Sequence, residues 1–293
     1  MISMNGTKNS PGCIGIVGLG LIGGSLALDL QELGWEVHGL VHKAKSIEHA
    51  KQRGLAQVIS TDPKILSPCS IVIIALPIEQ ILNPSEDLIK ALPQSAVITD
   101  VASVKDPVMK VWGKLHPRFV GSHPMAGSED SGINSGRKGL FLNRPWVTTT
   151  DDNTDQDSIK IVNQIARSLG CKLVNTNSYF HDQAVALVSH LPVIISASLI
   201  NTVASESNPE LLKLAKTLAS SGFEDTTRVG GGNPSLGTAM IKYNNEAILK
   251  SLESYKEILQ VLEKIVRSEN WLKLIKALEK THSLRDEFIN KDN

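Results

Sequence analysis

The stretch Ile14–Ser25 constrains this chain most, because it joins a short apolar strand to three closely spaced glycines in a G-x-G-x-x-G pattern. In this pattern the first glycine permits a tight turn, the second lets the backbone approach a pyrophosphate, and the third lets the next helix lie close to the strand. The free N–H groups and positive dipole end of that helix favour phosphate. The pattern therefore predicts a dinucleotide site, the alternative being a glycine-rich turn that only packs. The residues predicted to bind the cofactor here are Gly18, Gly20, Leu21, Ile22 and Gly23.

The length and charge of the chain limit the number of domains and the classes of binding partner that it can have. The chain has 293 residues, which favours two domains, and its 30 basic and 30 acidic residues give a formal net charge of zero. This balance argues against nucleic acid or an anionic membrane as the main partner. The cysteines Cys13, Cys69 and Cys171 lie far apart in the sequence, so we expect neither a disulfide framework nor a metal site, and we expect a cytoplasmic location. The first dozen residues resemble no signal or transit peptide, and Met4 is an alternative start to Met1.

The order of the predicted elements indicates two kinds of domain. Short apolar strands alternate with helices as far as about residue 176, which is typical of a doubly wound parallel sheet. After that point we expect only long helices, one of them continuous from Leu236 to Arg267. The predicted fold is therefore α/β, with a nucleotide-binding domain over residues 1–176 and an all-helical domain over residues 177–293.

Two apolar features of the helical half bear on how its hydrophobic surfaces are buried. The stretch Ala184–Ala204 has no Asp, Glu, Lys or Arg over 21 residues and is long enough to span a membrane. It carries His190 and Pro192 and lacks flanking basic clusters, so we expect a helix buried in a protein core and no membrane. A heptad seam then predicts either a homodimer through these helices or a seam within the chain's own bundle. The seam residues are Ile248, Leu252, Tyr255, Leu259, Leu262 and Val266.

The residues after the second predicted strand bear on cofactor choice. In NAD-binding versions of this fold an acidic side chain at this point takes the ribose hydroxyls. Here the sequence reads Leu40-Val41-His42-Lys43, with no acid. His42 and Lys43 are suited to a 2′-phosphate, so we predict NADP rather than NAD. Two solvated basic residues are the alternative.

Polar groups at predicted strand ends are candidates for catalysis. Ligands bind beyond the carboxyl ends of strands in an open parallel sheet, and two strands end near Ser103 and His123. A neutral imidazole has the pKa to accept a hydroxyl proton near pH 7, so His123 is the predicted general base. By topology both residues should lie beside the nicotinamide, so Ser103 is also a predicted cofactor-binding residue. Ser103 either shares that hydrogen bond or is an ordinary turn serine.

The helical half offers two further candidates. Pro192 has no N–H for the carbonyl of Val188, so the helix should kink near His190. His190 is then either a ligand-facing group or a core histidine satisfied by the freed backbone. Arg228 precedes a glycine-rich loop and is suited to bidentate capture of a carboxylate, unless it pairs with a nearby acid, Glu224 or Asp225.

These candidates belong to a set of motifs that resembles the prephenate and arogenate dehydrogenases of tyrosine synthesis. The resemblance runs in order over nearly the whole chain. It implies a Rossmann domain joined to an all-helical dimerisation domain, and oxidative decarboxylation of a small cyclohexadienol substrate to an aromatic ring. The motifs are Gly18–Ser25, Asp100–Lys105, Gly121–Gly127, His181–Asp182, Ser189–Pro192 and Ser221–Pro234.

Carried over by position, the resemblance also implies roles for individual residues. His123 matches the catalytic histidine that bonds the ring hydroxyl, Ser103 the serine that assists it, and Arg228 the arginine that binds a substrate carboxylate. His190 matches a histidine that lines the substrate pocket.

Two departures from the family pattern refine the expectation. Val41 stands where many relatives have an acid, which favours NADP, and Val193 stands where prephenate-specific relatives often have a histidine, which favours arogenate over prephenate. A β-hydroxyacid dehydrogenase, the alternative enzyme, needs a lysine followed four residues later by an asparagine, whereas Lys242 is followed by Glu246. A non-catalytic NADP-sensing protein is the alternative outside enzymes.

Overall fold

A computed structural model of the chain describes residues 11–127, 130 and 132–289. The choice between Met1 and Met4 as the start falls outside these residues. The chain packs as two compact units, the first ending at Asn244 and the second beginning at Asn245. The domain boundary at residue 176 stays a prediction.

Eight strands form one sheet in the order β3-β2-β1-β4-β5-β6-β7-β8. All neighbouring strands are parallel except β6 and β7, which are antiparallel. The predicted Rossmann-type doubly wound sheet is thus confirmed, with one antiparallel pair that the sequence did not indicate. The strands are β1 (Cys13–Val17), β2 (Glu36–Leu40), β3 (Val58–Ser60), β4 (Ile71–Ile74), β5 (Val97–Asp100), β6 (Phe119–Pro124), β7 (Pro145–Thr149) and β8 (Lys172–Thr176).

Helices cover both faces of this sheet. Successive side chains of a strand point to opposite faces, and accordingly Ile73 packs in one hydrophobic cluster while Ile74 packs in the other. Leu26 belongs to the first cluster and Trp112 to the second, which makes the sheet buried on both sides. The helices of this part are α1 (Leu21–Glu32), α2 (Ala44–Gln52), α3 (Ile78–Leu82), α4 (Glu86–Ala91), α5 (Asp106–Leu115) and α6 (Gln156–Ser168).

After β8 the described chain is helical, as predicted. The expected continuous helix over Leu236–Arg267 is wrong, because Asn244, at φ −127° and ψ 28°, ends one helix and the next begins at Asn245. The first unit contains α7 (Ser178–Val185), a π-helical turn (Ala186–His190), α8 (Leu191–Ala204), α9 (Pro209–Leu218), α10 (Ser221–Thr227), a 3₁₀ turn (Arg228–Gly231) and α11 (Pro234–Tyr243). The second unit consists of α12 (Asn245–Arg267) and α13 (Trp271–Ile289).

The stretch Ala184–Ala204, which contains no Asp, Glu, Lys or Arg, is only partly buried in the single chain. The helical run Ser178–Ala204 is long and apolar enough to cross a membrane by length and composition alone, and 28% of its apolar window is buried. Within α8 the buried residues are Leu191 and Ser196. The single described chain thus leaves most of the apolar surface of this helix available to another surface, and its burial in a protein core stays a prediction.

The second unit also presents apolar side chains. In the heptad seam of α12, Leu259 is 50% exposed and Val266 is 49% exposed. Exposed apolar side chains that recur along one helix are typical of a protein–protein interface.

Candidate active site

The glycine-rich loop between β1 and α1 has the geometry that its spacing predicts. Gly18 has φ +94°, and a Cβ there would lie 2.4 Å from the carbonyl oxygen of Ala75. A Cβ on Gly23 would lie 1.9 Å from the carbonyl oxygen of Gly18, so strand and helix approach too closely for any side chain. At Gly20, by contrast, a Cβ would meet no described atom within 4 Å.

The open space beside Gly20 allows a dinucleotide phosphate to approach the backbone of the loop. Gly20 is also the N-cap of α1 and provides no side-chain hydrogen bond to the first-turn amides, which include those of Leu21 and Ile22. Uncapped amides at a helix N-terminus bind phosphate oxygens well. The loop therefore fits a dinucleotide phosphate, with Gly18 and Gly23 required for packing and Gly20 required for ligand access.

The turn after β2 presents two basic side chains next to this loop. The Gly18 N–H donates to the carbonyl of Leu40 at 2.9 Å, which joins the end of β2 to the glycine-rich loop. His42 and Lys43 are exposed, whereas Val41 is 6% exposed and packs in the core. Because Val41 points inward, the side chains available to a ribose or its phosphate at this turn are those of His42 and Lys43.

His123 lies near the end of β6 and begins a chain of buried hydrogen bonds. Its Nδ1 lies 2.9 Å from Nε2 of His181, and Nδ1 of His181 lies 2.7 Å from Oδ1 of Asp182. Asp182 also accepts the backbone N–H groups of Lys105 at 2.7 Å and Asp106 at 2.8 Å. The start of α5 thus holds the carboxylate that orients both imidazoles.

The acceptors in this chain determine which nitrogen of His123 is basic. An ionised Asp182 can only accept, so Nδ1 of His181 carries a proton and, in the neutral ring, Nε2 of His181 accepts. Nδ1 of His123 must then be the donor, which leaves the lone pair on Nε2. Among the residues that the structure describes, Nε2 of His123 has no hydrogen-bond partner. It is available to take a proton from a ligand.

The surroundings keep His123 uncharged. Burial holds the pKa of His123 well below its usual range, and electrostatic interactions with His181, Lys105 and His190 lower it further, because a proton on His123 would be repelled by positive charge at any of these side chains. A neutral histidine in this position is a proton acceptor at neutral pH.

His190 is tied to the same network from the other side. Nδ2 of Asn244 lies 2.8 Å from the carbonyl oxygen of Asp182 and 3.1 Å from Nδ1 of His190. The partner of His190 is thus a side chain, and the alternative of a core histidine satisfied by freed backbone is wrong. The predicted disruption before Pro192 is a π-helical turn, a feature often found at functional sites.

The second ring nitrogen of His190 is unusual. Its Nε2 is buried and has no hydrogen-bond partner within the described chain. Because Nδ1 accepts from Asn244, Nε2 carries the proton of the neutral ring and is a buried donor without an acceptor. Burial lowers the pKa of His190 to about 4, so the ring is neutral. Such an orphan donor costs free energy unless a ligand oxygen accepts from it.

A buried ion pair supports the strand ends beneath His123. Nζ of Lys105 contacts Oδ2 of Asp100 and donates to the carbonyl of Ser122 at 2.6 Å, and both charged side chains are fully buried. Oδ1 of Asp100 accepts the N–H of Ser122 at 3.1 Å, and Oδ2 accepts that of Ala102 at 2.8 Å. This pair therefore connects the end of β5 to the residue that precedes His123.

Ser103 lies in the segment that this ion pair holds, between β5 and α5. It is half-buried, and its hydroxyl forms no hydrogen bond in the part of the chain that is described. His123 bonds His181 rather than Ser103. The assisting role of Ser103 stays a prediction.

Arg228 begins the 3₁₀ turn that packs on α8. The N–H of Gly230 donates to Oγ of Ser196 at 2.8 Å, and a Cβ on Gly230 would lie 2.4 Å from the backbone nitrogen of Ala197. Arg228 is exposed, and no ion pair to Glu224, Asp225 or any other described acid occupies it. The guanidinium is available to a ligand, while a pocket shared by Arg228 and His123 stays a prediction.

Several members of the hydrogen-bond network have roles that their sequence positions do not indicate. His181 and Asp182 were visible only as an adjacent pair in the family pattern, and Asn244 carried no signal at all. Asp100 and Lys105 were visible as the two ends of a family motif, but their spacing does not indicate that they form a buried ion pair.

Two family models match the chain. The model described as prephenate dehydrogenase, nucleotide-binding domain, matches residues 26–175. The model described as prephenate dehydrogenase, dimerization domain, matches residues 177–280 and supports a homodimer.

Individual relatives agree with these matches. The chain is 41% identical to a Synechocystis arogenate dehydrogenase structure, with a TM-score of 0.82, covering 94% of this chain and 100% of the other. It is 27% identical to an Aquifex aeolicus prephenate dehydrogenase solved with hydroxyphenyl propionate and NAD+, with a TM-score of 0.88 and coverage of 96% and 100%. It is 28% identical to the Bacillus subtilis prephenate dehydrogenase over 92% of this chain and 74% of the relative. The chain therefore belongs to the prephenate dehydrogenase family and is a dehydrogenase of the oxidoreductase class.

Proposed function

We propose that this chain oxidises and decarboxylates arogenate to tyrosine, with NADP as the hydride acceptor. The observation that carries the proposal is the relay from Asp182 through His181 to His123, which leaves a basic Nε2 at the carboxyl end of β6. When bound, the nicotinamide supplies the acceptor for the hydride that leaves the ring carbon bearing the hydroxyl. The ring carboxylate leaves as CO2, and aromatisation drives the reaction.

In this proposal His123 handles the hydroxyl proton. Its Nε2 takes the proton as the hydride leaves the substrate. The positive charge that develops on the His123 imidazole is stabilised through its Nδ1–H, His181 and the Asp182 carboxylate. His181 and Asp182 are positioning residues, because they act through His123. Ser103, in the adjoining β5–α5 segment, assists by bonding the same hydroxyl.

His190 and Arg228 are the proposed substrate-binding residues. The unpartnered Nε2–H of His190 suits a carboxylate or carbonyl oxygen of the substrate, which would satisfy the buried donor. The unpaired guanidinium of Arg228 suits a bidentate bond to a carboxylate.

The preference for arogenate rests on Val193 and on the similarity to the Synechocystis arogenate dehydrogenase. Val193 lies one helical turn after His190, is half-buried, and lies 3.7 Å from the position that a Cβ on Gly237 would take. An apolar side chain there offers no polar partner to the keto group that distinguishes prephenate. Prephenate dehydrogenase activity is the alternative, and the family match decides against a β-hydroxyacid dehydrogenase.

The preference for NADP rests on His42 and Lys43, which are exposed beside the glycine-rich loop. Two basic side chains complement a 2′-phosphate, and no acidic side chain is present at residues 40–43 to bond the ribose hydroxyls of NAD. NAD use is the alternative.

We further propose that the active form is a cytoplasmic homodimer assembled through the helical residues. The exposed apolar side chains of α8 and α12 would be covered by a second copy of the chain, as the dimerization-domain match suggests.

Steady-state assays of NAD(P)H formation with arogenate and prephenate, each with NADP+ and NAD+, test the proposal. We expect the highest kcat/KM with arogenate and NADP+, and a preference for NADP+ of about tenfold or more, because a charge-assisted hydrogen bond contributes about 1.5–3 kcal/mol. A higher kcat/KM with prephenate contradicts the substrate proposal, and a clear preference for NAD+ contradicts the cofactor proposal. Turnover of 3-hydroxyisobutyrate instead of either cyclohexadienol would contradict both.

Arg228→Ala is expected to act on substrate binding. Loss of a charge-assisted bond of about 1.5–3 kcal/mol should raise KM by about 10- to 150-fold while kcat changes little. Arg228→Lys should recover only part of the loss, because an ammonium cannot form the bidentate bond. Arg167→Ala, which removes an exposed arginine of α6, is the matched control and should leave KM unchanged. An unchanged KM in Arg228→Ala would exclude the proposed carboxylate contact.

A further inference from the structure

A second group of chemically active side chains lies at the opposite edge of the sheet from the glycine-rich loop. Cys13 is the first residue of β1, Glu36 and His38 are in β2, and Cys69 shortly precedes β4. Cys13 and Glu36 are neighbours in the β1–β2 register. Since β1 has five residues that each advance about 3.3 Å, this group lies about 16 Å from Gly18. It is therefore separate from the proposed active site.

The sulfur and nitrogen atoms of this group converge. Sγ of Cys13 lies 3.2 Å from Sγ of Cys69, and the potential ligand atoms of Cys13, His38 and Cys69 all lie within 4.8 Å of one another. A tetrahedral zinc ion bound at about 2.3 Å from sulfur holds two sulfurs about 3.8 Å apart. Shifts of less than about 1 Å would therefore bring these three side chains to a common metal.

The hydrogen bonds of His38 fix the orientation of its ring in this group. Its Nδ1 lies 2.7 Å from the carbonyl oxygen of Ile65, which can only accept, so Nδ1 carries a proton. Its Nε2 lies 3.1 Å from Oε1 of Glu36, and an ionised carboxylate can also only accept. A neutral His38 would therefore direct its lone pair at a carboxylate. A second proton on His38, which makes an ion pair with Glu36, or a metal ion at Nε2 removes the conflict. The geometry suits a metal, because a backbone carbonyl on the other nitrogen is the usual outer partner of a metal-bound histidine.

The Glu36 carboxylate adds a negative charge beside the two thiols, because Glu36 is the register neighbour of Cys13. This charge attracts a cation, which would displace the two thiol protons.

We propose that Cys13, His38 and Cys69, with Glu36 as the fourth ligand, bind a thiophilic divalent cation of the zinc class. Two sulfurs, one imidazole nitrogen and one carboxylate oxygen complete a tetrahedral, closed coordination shell. The site links the amino-terminal ends of β1, β2 and β4, so its role is structural. Glu36, whose side chain is 56% exposed, provides the route of entry.

Titration of the full-length, reduced, metal-free protein with Co²⁺ tests this site. We expect one Co²⁺ per chain, with the thiolate-to-cobalt charge-transfer absorption, displacement by Zn²⁺ and a rise in Tm. Cys13→Ser and Cys69→Ser should abolish the absorption band. Glu36→Gln should weaken binding by more than the roughly 10- to 100-fold that loss of an outer-shell partner costs, because it removes a direct ligand. Cys171→Ser, which removes the remaining cysteine, is the matched control and should bind as the unmodified protein does.

Circular dichroism of each metal-free variant verifies that it is folded. The same band in Cys13→Ser, its loss in Cys171→Ser, or no binding at millimolar Co²⁺ would overturn the proposal. Formation of a Cys13–Cys69 disulfide by added oxidised glutathione, in a protein that binds no metal when reduced, would overturn it in favour of a redox pair.

Discussion

His123→Asn is expected to lower kcat/KM by about 10²- to 10⁴-fold, the contribution typical of a positioned proton acceptor. Asparagine cannot provide the basic Nε2 that Asp182 and His181 leave free on His123. Binding of NADP+ should be nearly unchanged, because the glycine-rich loop does not involve this side chain. Initial rates of NADPH formation, together with a fluorescence titration of the cofactor, measure the two effects separately.

The matched control is His116→Asn. His116 is also a buried histidine of the first unit, but it bonds the carbonyl of Pro93 at 3.1 Å and stands outside the network. Its replacement should leave kcat/KM unchanged at a temperature where the protein is folded. Equal turnover in His123→Asn and the unmodified protein would refute the acid–base assignment.

The pH profile of the unmodified enzyme gives a second readout of His123. Because burial holds its pKa well below the usual value near 6.5, the neutral, proton-accepting form persists as the pH falls through that value. We expect kcat/KM to show no loss from His123 near pH 6.5 and to fall only at lower pH. An acidic limb centred at or above pH 6.5 that His123→Asn abolishes would contradict this environment.

Lys105→Met is expected to cost about 3–5 kcal/mol in the free energy of unfolding. The substitution leaves the Asp100 carboxylate fully buried, with backbone N–H donors but no compensating cation. Urea unfolding at neutral pH measures the loss. The double variant Lys105→Met/Asp100→Asn should be less destabilised than Lys105→Met alone, because it removes the unpaired charge as well.

Lys110→Met is the matched control for this experiment. Lys110 pairs with Asp106 at 2.5 Å on the exposed surface of the same helix, where an i,i+4 ion pair contributes only about 0.3–0.5 kcal/mol. Equal losses of stability in Lys105→Met and Lys110→Met would show that burial of the Asp100–Lys105 pair does not determine its contribution. The same conclusion would follow if the loss in Lys105→Met/Asp100→Asn equalled the sum of the losses in Lys105→Met and Asp100→Asn.

The local parts of the fold followed closely from the sequence. The glycine-rich loop, the alternation of strands and helices and the change to helices after residue 176 depend on signals within short stretches, and each is present in the structure. The antiparallel pairing of β7 with β6 and the interruption between α11 and α12 at Asn244 were not predicted from the sequence. Strand direction depends on the path of the intervening chain, and Asn244 interrupts an apolar pattern that continues on both sides.

The candidate site was only partly predictable, because its chemistry depends on contacts between distant residues. The position of His123 at a strand end followed from topology, but its protonation state depends on His181, 58 residues later. Likewise, Cys13 and Cys69 are 56 residues apart, and this spacing does not indicate that they are in contact. Their sulfurs meet because β1 and β4 are adjacent in the sheet.

By itself, the sequence determined the class of fold, the dinucleotide loop and the residue types available for chemistry, because glycine spacing, apolar periodicity and strand ends act locally. Only the tertiary structure decided which nitrogen of His123 is basic, that Nε2 of His190 has no partner in the described chain, and that two cysteines converge with a histidine. Hydrogen bonding, burial and metal coordination require atoms to be within a few ångströms of one another, and packing of the sheet and helices establishes those distances.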